Sequence, residues 1–273
     1  MLYNAPTRLE FLDERDNVRS QKILSKYRKI YKFHRPYGRI EATRRAIAIF
    51  KELDIFDLVR GMNTRTIKVM ELSKPTYMPY WPAFSSVVRE MIKFSHNFYV
   101  SAIRYSDLER KVIFVDFGAG LCKTPIIAAE SRKFDVCAGI EIDEELVETA
   151  RNNLRIFEKR SNGATLNSFV ICGNVESQNS LEEFVQKIKS IGINPSEATL
   201  FIFNKNSYGP DVLRNSLRIV QKYFSSIVYL YQNPIHGKVL VDLGFIEFGQ
   251  DDKRNTAHKN YKYKLYFKHN YGD

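Results

Sequence analysis

The sequence predicts an α/β protein built on a mostly parallel, seven-stranded sheet, and three observations predict it. Five short apolar runs, KVIFVDFG, VCAGIEI, SFVICG, ATLFIFN and SIVYLYQ, each rich in β-branched or aromatic residues, follow one another after Arg110. Each leads into polar, helix-compatible sequence such as EELVETARNNLRIFEKR or LEEFVQKIKSIG, the alternation that yields parallel strands covered on both faces. The last two runs, GFIEFGQDD and YKYKLYFKH, have no helix between them and predict an antiparallel pair at one side of the sheet.

Ahead of the sheet the pattern is helical. Ile23, Tyr27, Ile30 and Tyr31 recur at helical spacing, as do Ala46, Ile49, Phe50, Leu53 and Phe56, with Pro36 and Gly38 breaking the segment between them. In SKPTYMPYWPAFSSVVREMI, Pro75, Pro79 and Pro82 force an extended path before a helix near residues 83–95. We therefore divide the chain into a helical N-terminal extension, residues 1–74, and a sheet domain, residues 75–273.

Charge is concentrated in the extension. From Arg19 to Arg45 ten cations stand against one acid, Glu41, so this stretch carries +9 of the net +11. With Tyr27, Tyr31, Phe33 and Tyr37 interleaved, residues 19–45 could track a phosphate backbone while the rings stack on bases. A solvated helical face with aromatics packed on the sheet domain explains the same pattern.

At 273 residues and 44% hydrophobic, the chain can bury one sizeable core. No run approaches the roughly 18 consecutive apolar residues of a membrane span, and MLYNAPTRLEFLDER lacks the features of a signal peptide, so a soluble, cytoplasmic protein is expected. Cys122, Cys137 and Cys172 lack metal-ligand spacing and are expected to be buried free thiols; no metal is expected.

Open parallel sheets bind ligands beyond the carboxyl ends of their strands. The first such end is VDFGAGL: Gly118 and Gly120 permit a sharp turn and a close backbone approach, and Asp116 can accept hydrogen bonds from an ammonium group. Glu141 ends the second strand about twenty residues past Gly120, where an acid can take the two hydroxyls of a ribose. The third strand ends in CGNV, where the Asn174 amide offers a donor and an acceptor to a base edge. NAD is the competing ligand, but a G-x-G-x-x-G is missing.

The succession VDFGAG, GIEID, CGNV, FNKNSYGP, closed by two strands after the fifth, resembles the class I S-adenosylmethionine-dependent methyltransferases over about residues 75–270. The resemblance implies a Rossmann-like sheet of order 3-2-1-4-5-7-6 with the last strand antiparallel, and S-adenosyl-L-methionine as cofactor. It places Asp116, Gly118, Ala119 and Gly120 near the methionine part, Glu141 and Ile142 at the ribose, Asn174 and Val175 at the adenine, with Asn204 also in reach. Tyr80 and Tyr77, in the proline-rich lead-in, are candidates to close over the cofactor.

FNKNSYGP, at the fourth strand end, stands where this family places acceptor-facing residues. It is similar to the N-N-F-A-F-G-P segment of the non-SET histone lysine methyltransferases, and more loosely to N-P-P-Y amino-methyltransferases. VYLYQNPIHGKVLVDLGF is similar to a group of bacterial class I methyltransferases. Asn204, Asn206 and Tyr208 are the catalytic candidates; Asn233 and His236 could line the same cleft. Lys205 would be repelled by a sulfonium when protonated, so it is expected to point outward or to meet an anionic substrate group. N-methylation of a protein lysine or of nucleic acid is the leading expectation, a macromolecular substrate in either case. A small-molecule or sugar methyltransferase, or an inactive cofactor-binding adaptor, is the alternative.

Overall fold

The structure, a computed structural model, describes residues 38–64, 82–102, 110–161, 167–205, 208–251 and 262–269. The chain divides into two compact units, Met1–Lys51 and Glu52–Asp273. In the first, helix α1 spans Arg39–Ile49. Most of the basic stretch 19–45, with Tyr27, Tyr31, Phe33 and Tyr37, lies outside the described residues, as do Tyr77 and Tyr80.

The second unit opens with the short α2, Phe56–Arg60, and the long α3, Ser85–Ala102. Then β1 (Val112–Phe117), α4 (Lys123–Glu130), β2 (Val136–Glu141), α5 (Glu144–Arg160), β3 (Asn167–Cys172), α6 (Gln178–Ser190) and β4 (Thr199–Asn204) alternate. They are followed by α7 (Pro210–Val220), β5 (Ser226–Gln232), α8 (Gly237–Asp242), β6 (Ile246–Asp251) and β7 (Tyr263–His269). The strands form one seven-stranded sheet of order β3-β2-β1-β4-β5-β7-β6, as the resemblance implies. β3, β2, β1, β4 and β5 are parallel, and β7 runs antiparallel between β5 and β6.

Local chemistry accounts for these elements. β1, β2, β4 and β5 are buried at every position, as strands covered on both faces must be. The sheet separates two cores. On one face Val115, Ile140, Ile202 and Tyr229 pack with Leu181, Phe184 and Leu217 of α6 and α7. On the other, Phe114, Phe134, Phe201 and Tyr99 of α3 meet ring to ring, with centroids 5.2–5.6 Å apart. Helix α5 begins where the Asp143 carboxylate accepts the Glu145 and Leu146 amides. Its acidic first turn and basic last turn suit the helix dipole.

β3 is an edge strand, and Cys172 at its end is exposed, unlike the buried Cys122 and Cys137; the expectation of three buried thiols is corrected there. Among the described residues no helix is long and apolar enough to cross a membrane.

Asn153 fastens the segment after α2 to the sheet. Its Oδ1 accepts the Asn63 amide at 3.0 Å, and its Nδ2 donates to the carbonyls of Asn63 at 2.8 Å and Leu121 at 3.1 Å. The side chain is 1% exposed, so truncation strands buried polar groups. Asn153→Ala is therefore expected to lower stability by about 1–3 kcal/mol, measured as a shift in denaturant midpoint at constant slope.

Candidate functional site

The carboxyl ends of β1, β2 and β4 converge on one loop, residues 118–122. Gly118 (φ 78°), Gly120 (φ 52°) and Cys122 (φ 60°) all take left-handed backbone, which glycine adopts freely and cysteine does not. The turn is pinned to β2, with the Gly118 and Ala119 amides donating to the Ile140 carbonyl at 2.9 and 3.1 Å.

Glu141 completes this attachment. Its Oε2 accepts the Gly120 amide at 2.7 Å, while Oε1 accepts the amides of Ile142 and Asp143 at 2.8 and 3.1 Å. A carboxylate has about four acceptor positions, so three backbone bonds leave room for a hydroxyl. Burial raises the Glu141 pKa, and the three amide bonds offset part of that rise. Ile142, directly beyond, is 38% exposed and offers an apolar surface beside the acid.

Asp116 is 4% exposed, and burial raises its carboxyl well above the usual range. A hydrogen bond from Thr124 opposes the rise, Glu141 adds to it, and Lys205 opposes it. A carboxyl held in so dry a place is suited to pairing with a cationic ligand group, which favours its ionised form.

At the third strand end, Asn174 makes a turn: its Oδ1 accepts the Glu176 amide at 3.0 Å, and its carbonyl accepts the Ser177 amide at 2.9 Å. The Val175 side chain is buried in the core.

At the fourth strand end, consecutive side chains leave on opposite faces of the sheet. Asn204, 1% exposed, faces the Tyr229 hydroxyl, whose pKa burial pushes well above its ordinary value. Lys205 goes the other way, and its Nζ donates to the Pro82 carbonyl at 3.3 Å. The expectation that Lys205 points outward is corrected: it is partly buried, within electrostatic reach of Asp116 and Lys123. Asp116 pairs in register with Phe203, so the next strand end carries Lys205 to the same side. Tyr208 returns over the loop, its hydroxyl 2.9 Å from where a Cβ on Gly118 would lie. Asn206 lies outside the described residues, as does Tyr80.

Asn233 and His236 have structural partners. The Asn233 amide donates to the Lys262 carbonyl at 2.7 Å, and His236 stands at the N-cap of α8 with its amide 3.4 Å from the Tyr231 hydroxyl.

The structure also brings in residues that sequence reasoning missed. Lys123, 2% exposed, donates to the Glu52 carbonyl at 2.6 Å and lies 4.9 Å from the Phe56 ring centroid. Gln232, at the end of β5, is fully buried, and among the described residues neither its Nε2 nor its Oε1 finds a partner. A lysine after a glycine loop carries no signal of its own, because its neighbour Lys205 is far away in the chain.

The residues present fit S-adenosylmethionine. Gly118 and Gly120 keep the turn free of bulky side chains beside the Tyr208 hydroxyl, Asp116 suits an ammonium group, Glu141 keeps acceptor capacity, and Ile142 is an exposed apolar contact. When bound, the cofactor supplies a methyl group carried on a cationic sulfur.

Comparison with known proteins agrees. The methyltransferase domain of METTL16 is 14% identical and aligns with a TM-score of 0.52, over 91% of this chain and 91% of that one, which shows the fold. A precorrin-6y C5,15-methyltransferase from Geobacter metallireducens (14% identity, 74% of this chain and 93% of that one, TM-score 0.45) also aligns. So does TrmK from M. capricolum in complex with S-adenosyl-homocysteine (14% identity, 70% of each chain, TM-score 0.41). A search of curated protein sequences found no match. Residues 73–222 match the family described as histone methylation protein DOT1, which is more than half of the chain, and the protein belongs to that family as an S-adenosylmethionine-dependent methyltransferase.

Proposed function

We propose that this enzyme methylates a nitrogen of a macromolecular acceptor, a protein lysine side chain in the first place. The approach of the strand-four residue Tyr208 to the cofactor loop at Gly118 carries the reading. A bound methyl group and its acceptor must be aligned and kept dry, and a tyrosine ring over the loop can do both. Its electron-rich face suits a polarised methyl and an incoming ammonium. Asn204, held against Tyr229 beneath this point, is the candidate to fix the acceptor nitrogen. The likeness of FNKNSYGP to the histone lysine enzymes supports lysine over other amines.

The density of cations at residues 19–45 favours a second reading, a nucleic-acid acceptor gripped by the extension 1–74. One experiment separates the two. Labelled methyl transfer into a cell lysate is expected to yield label that protease removes and nuclease does not. Nuclease-sensitive label would select nucleic acid, label only in small molecules would select that class, and none at all would select an adaptor. Asn204→Ala and Tyr208→Phe are each expected to lower kcat/KM about tenfold or more. Unchanged activity in both variants would reject the site.

A further inference from the structure

Lys205 occupies an unusual place for a cation. Its Nζ is held by the Pro82 carbonyl at the end of β4, on the face of the sheet that Asp116 occupies on neighbouring β1. A second ammonium, that of Lys123, is buried nearby on α4 and is fixed by the Glu52 carbonyl. Among the described residues, the charged groups acting on Lys205 are Lys123 from α4 and Asp116 from β1, while the segment before α3 contributes a carbonyl. Asp116 also holds the Thr124 hydroxyl.

Among the described residues, two lysines, Lys123 and Lys205, share this region with the carboxyls of Asp116 and Glu141. A sulfonium cofactor adds a fixed positive charge, whereas its demethylated product does not. Lys205 is the cation placed to give up its proton in response. Burial, followed by repulsion from Lys123, lowers its pKa to about 7, with Asp116 opposing.

We propose that Lys205 releases its proton when S-adenosylmethionine binds, so that the sulfonium cofactor is held beside a neutral amine and is distinguished from its product by charge. The coupling rests on the reading of the glycine loop, Asp116 and Glu141 as the cofactor site.

Calorimetry on the full chain, in buffers of different ionisation enthalpy, counts the protons. Between about pH 6 and 7, S-adenosylmethionine is expected to release up to about one proton more than S-adenosyl-homocysteine. Its affinity relative to the product should fall about tenfold from pH 8 to pH 6. In Lys205→Met that ratio should change less than about twofold. In Lys205→Arg, which stays charged, the sulfonium ligand should bind more weakly than the product at every pH. Equal proton counts for the two ligands in the wild type would overturn the proposal alone, as would an unchanged pH dependence in Lys205→Met. Failure of the wild type to bind either ligand would overturn the cofactor site and the proposal together. Should Lys205→Met not fold, the wild-type counts still decide.

Discussion

Gly118→Val is expected to weaken binding of S-adenosyl-homocysteine at least about a hundredfold, the largest loss anticipated for a single substitution in this site. Two independent costs combine. At φ 78° the backbone is left-handed, which costs a residue with a Cβ about 1–2 kcal/mol and a β-branched one more. The new Cβ would also lie 2.9 Å from the Tyr208 hydroxyl and 3.6 Å from its Cζ, so the ring must leave the loop it covers. The costs are separable, because the nearest atom is a hydroxyl that phenylalanine lacks. Gly118→Ala should cost less affinity in a Tyr208→Phe background than in the wild type, leaving the backbone strain as the remainder. Calorimetry on the four proteins measures this, and binding by Gly118→Val within about threefold of wild type would show that no ligand approaches the loop.

What the sequence revealed and what it hid follow from how far each signal travels along the chain. Helix α5 spans EELVETARNNLRIFEKR as expected, because its cap, end charges and apolar stripe are all local. Helix α3 runs on to Ala102 instead of ending near residue 95, since Met91, Ile92 and Tyr99 keep a buried helical stripe and no glycine or proline interrupts them. The glycine loop and Glu141 were legible because a turn and an acid at the next strand end are set by spacing. The lysine pair was not. Lys123 and Lys205 come within electrostatic reach because the strand order lays β4 beside β1, which no single stretch encodes. The same topology makes β3 an edge and exposes Cys172. Gln232 read as the end of an apolar run; only burial without a partner distinguishes it.

Asp116→Asn is expected to stabilise the ligand-free protein while cutting cofactor affinity, with both effects set by one charge. Burial holds the Asp116 pKa above its unfolded value of 3.8, against the Thr124 hydrogen bond. A group whose folded pKa is raised binds its proton more tightly when folded. Its stabilising contribution is present below the unfolded pKa and is lost as pH rises through the folded one. Above its unfolded pKa the buried carboxyl is thus a liability that asparagine removes, while the amide oxygen can still accept from Thr124. The melting temperature of the variant should exceed wild type at about pH 8 and converge on it near pH 4. Affinity moves the other way. A charge-assisted bond contributes about 1.5–3 kcal/mol, so replacing the carboxyl that we propose faces the cofactor's ammonium should weaken binding about 10–100-fold. Lys205 connects the two results, since Asp116 is the group that supports its proton. In Asp116→Asn that support is gone, Lys205 is discharged at lower pH before any ligand arrives, and the extra proton released by the sulfonium ligand near pH 7 should largely disappear. A variant that lost affinity but kept the full proton count would separate Asp116 from Lys205 and place the cofactor's ammonium elsewhere.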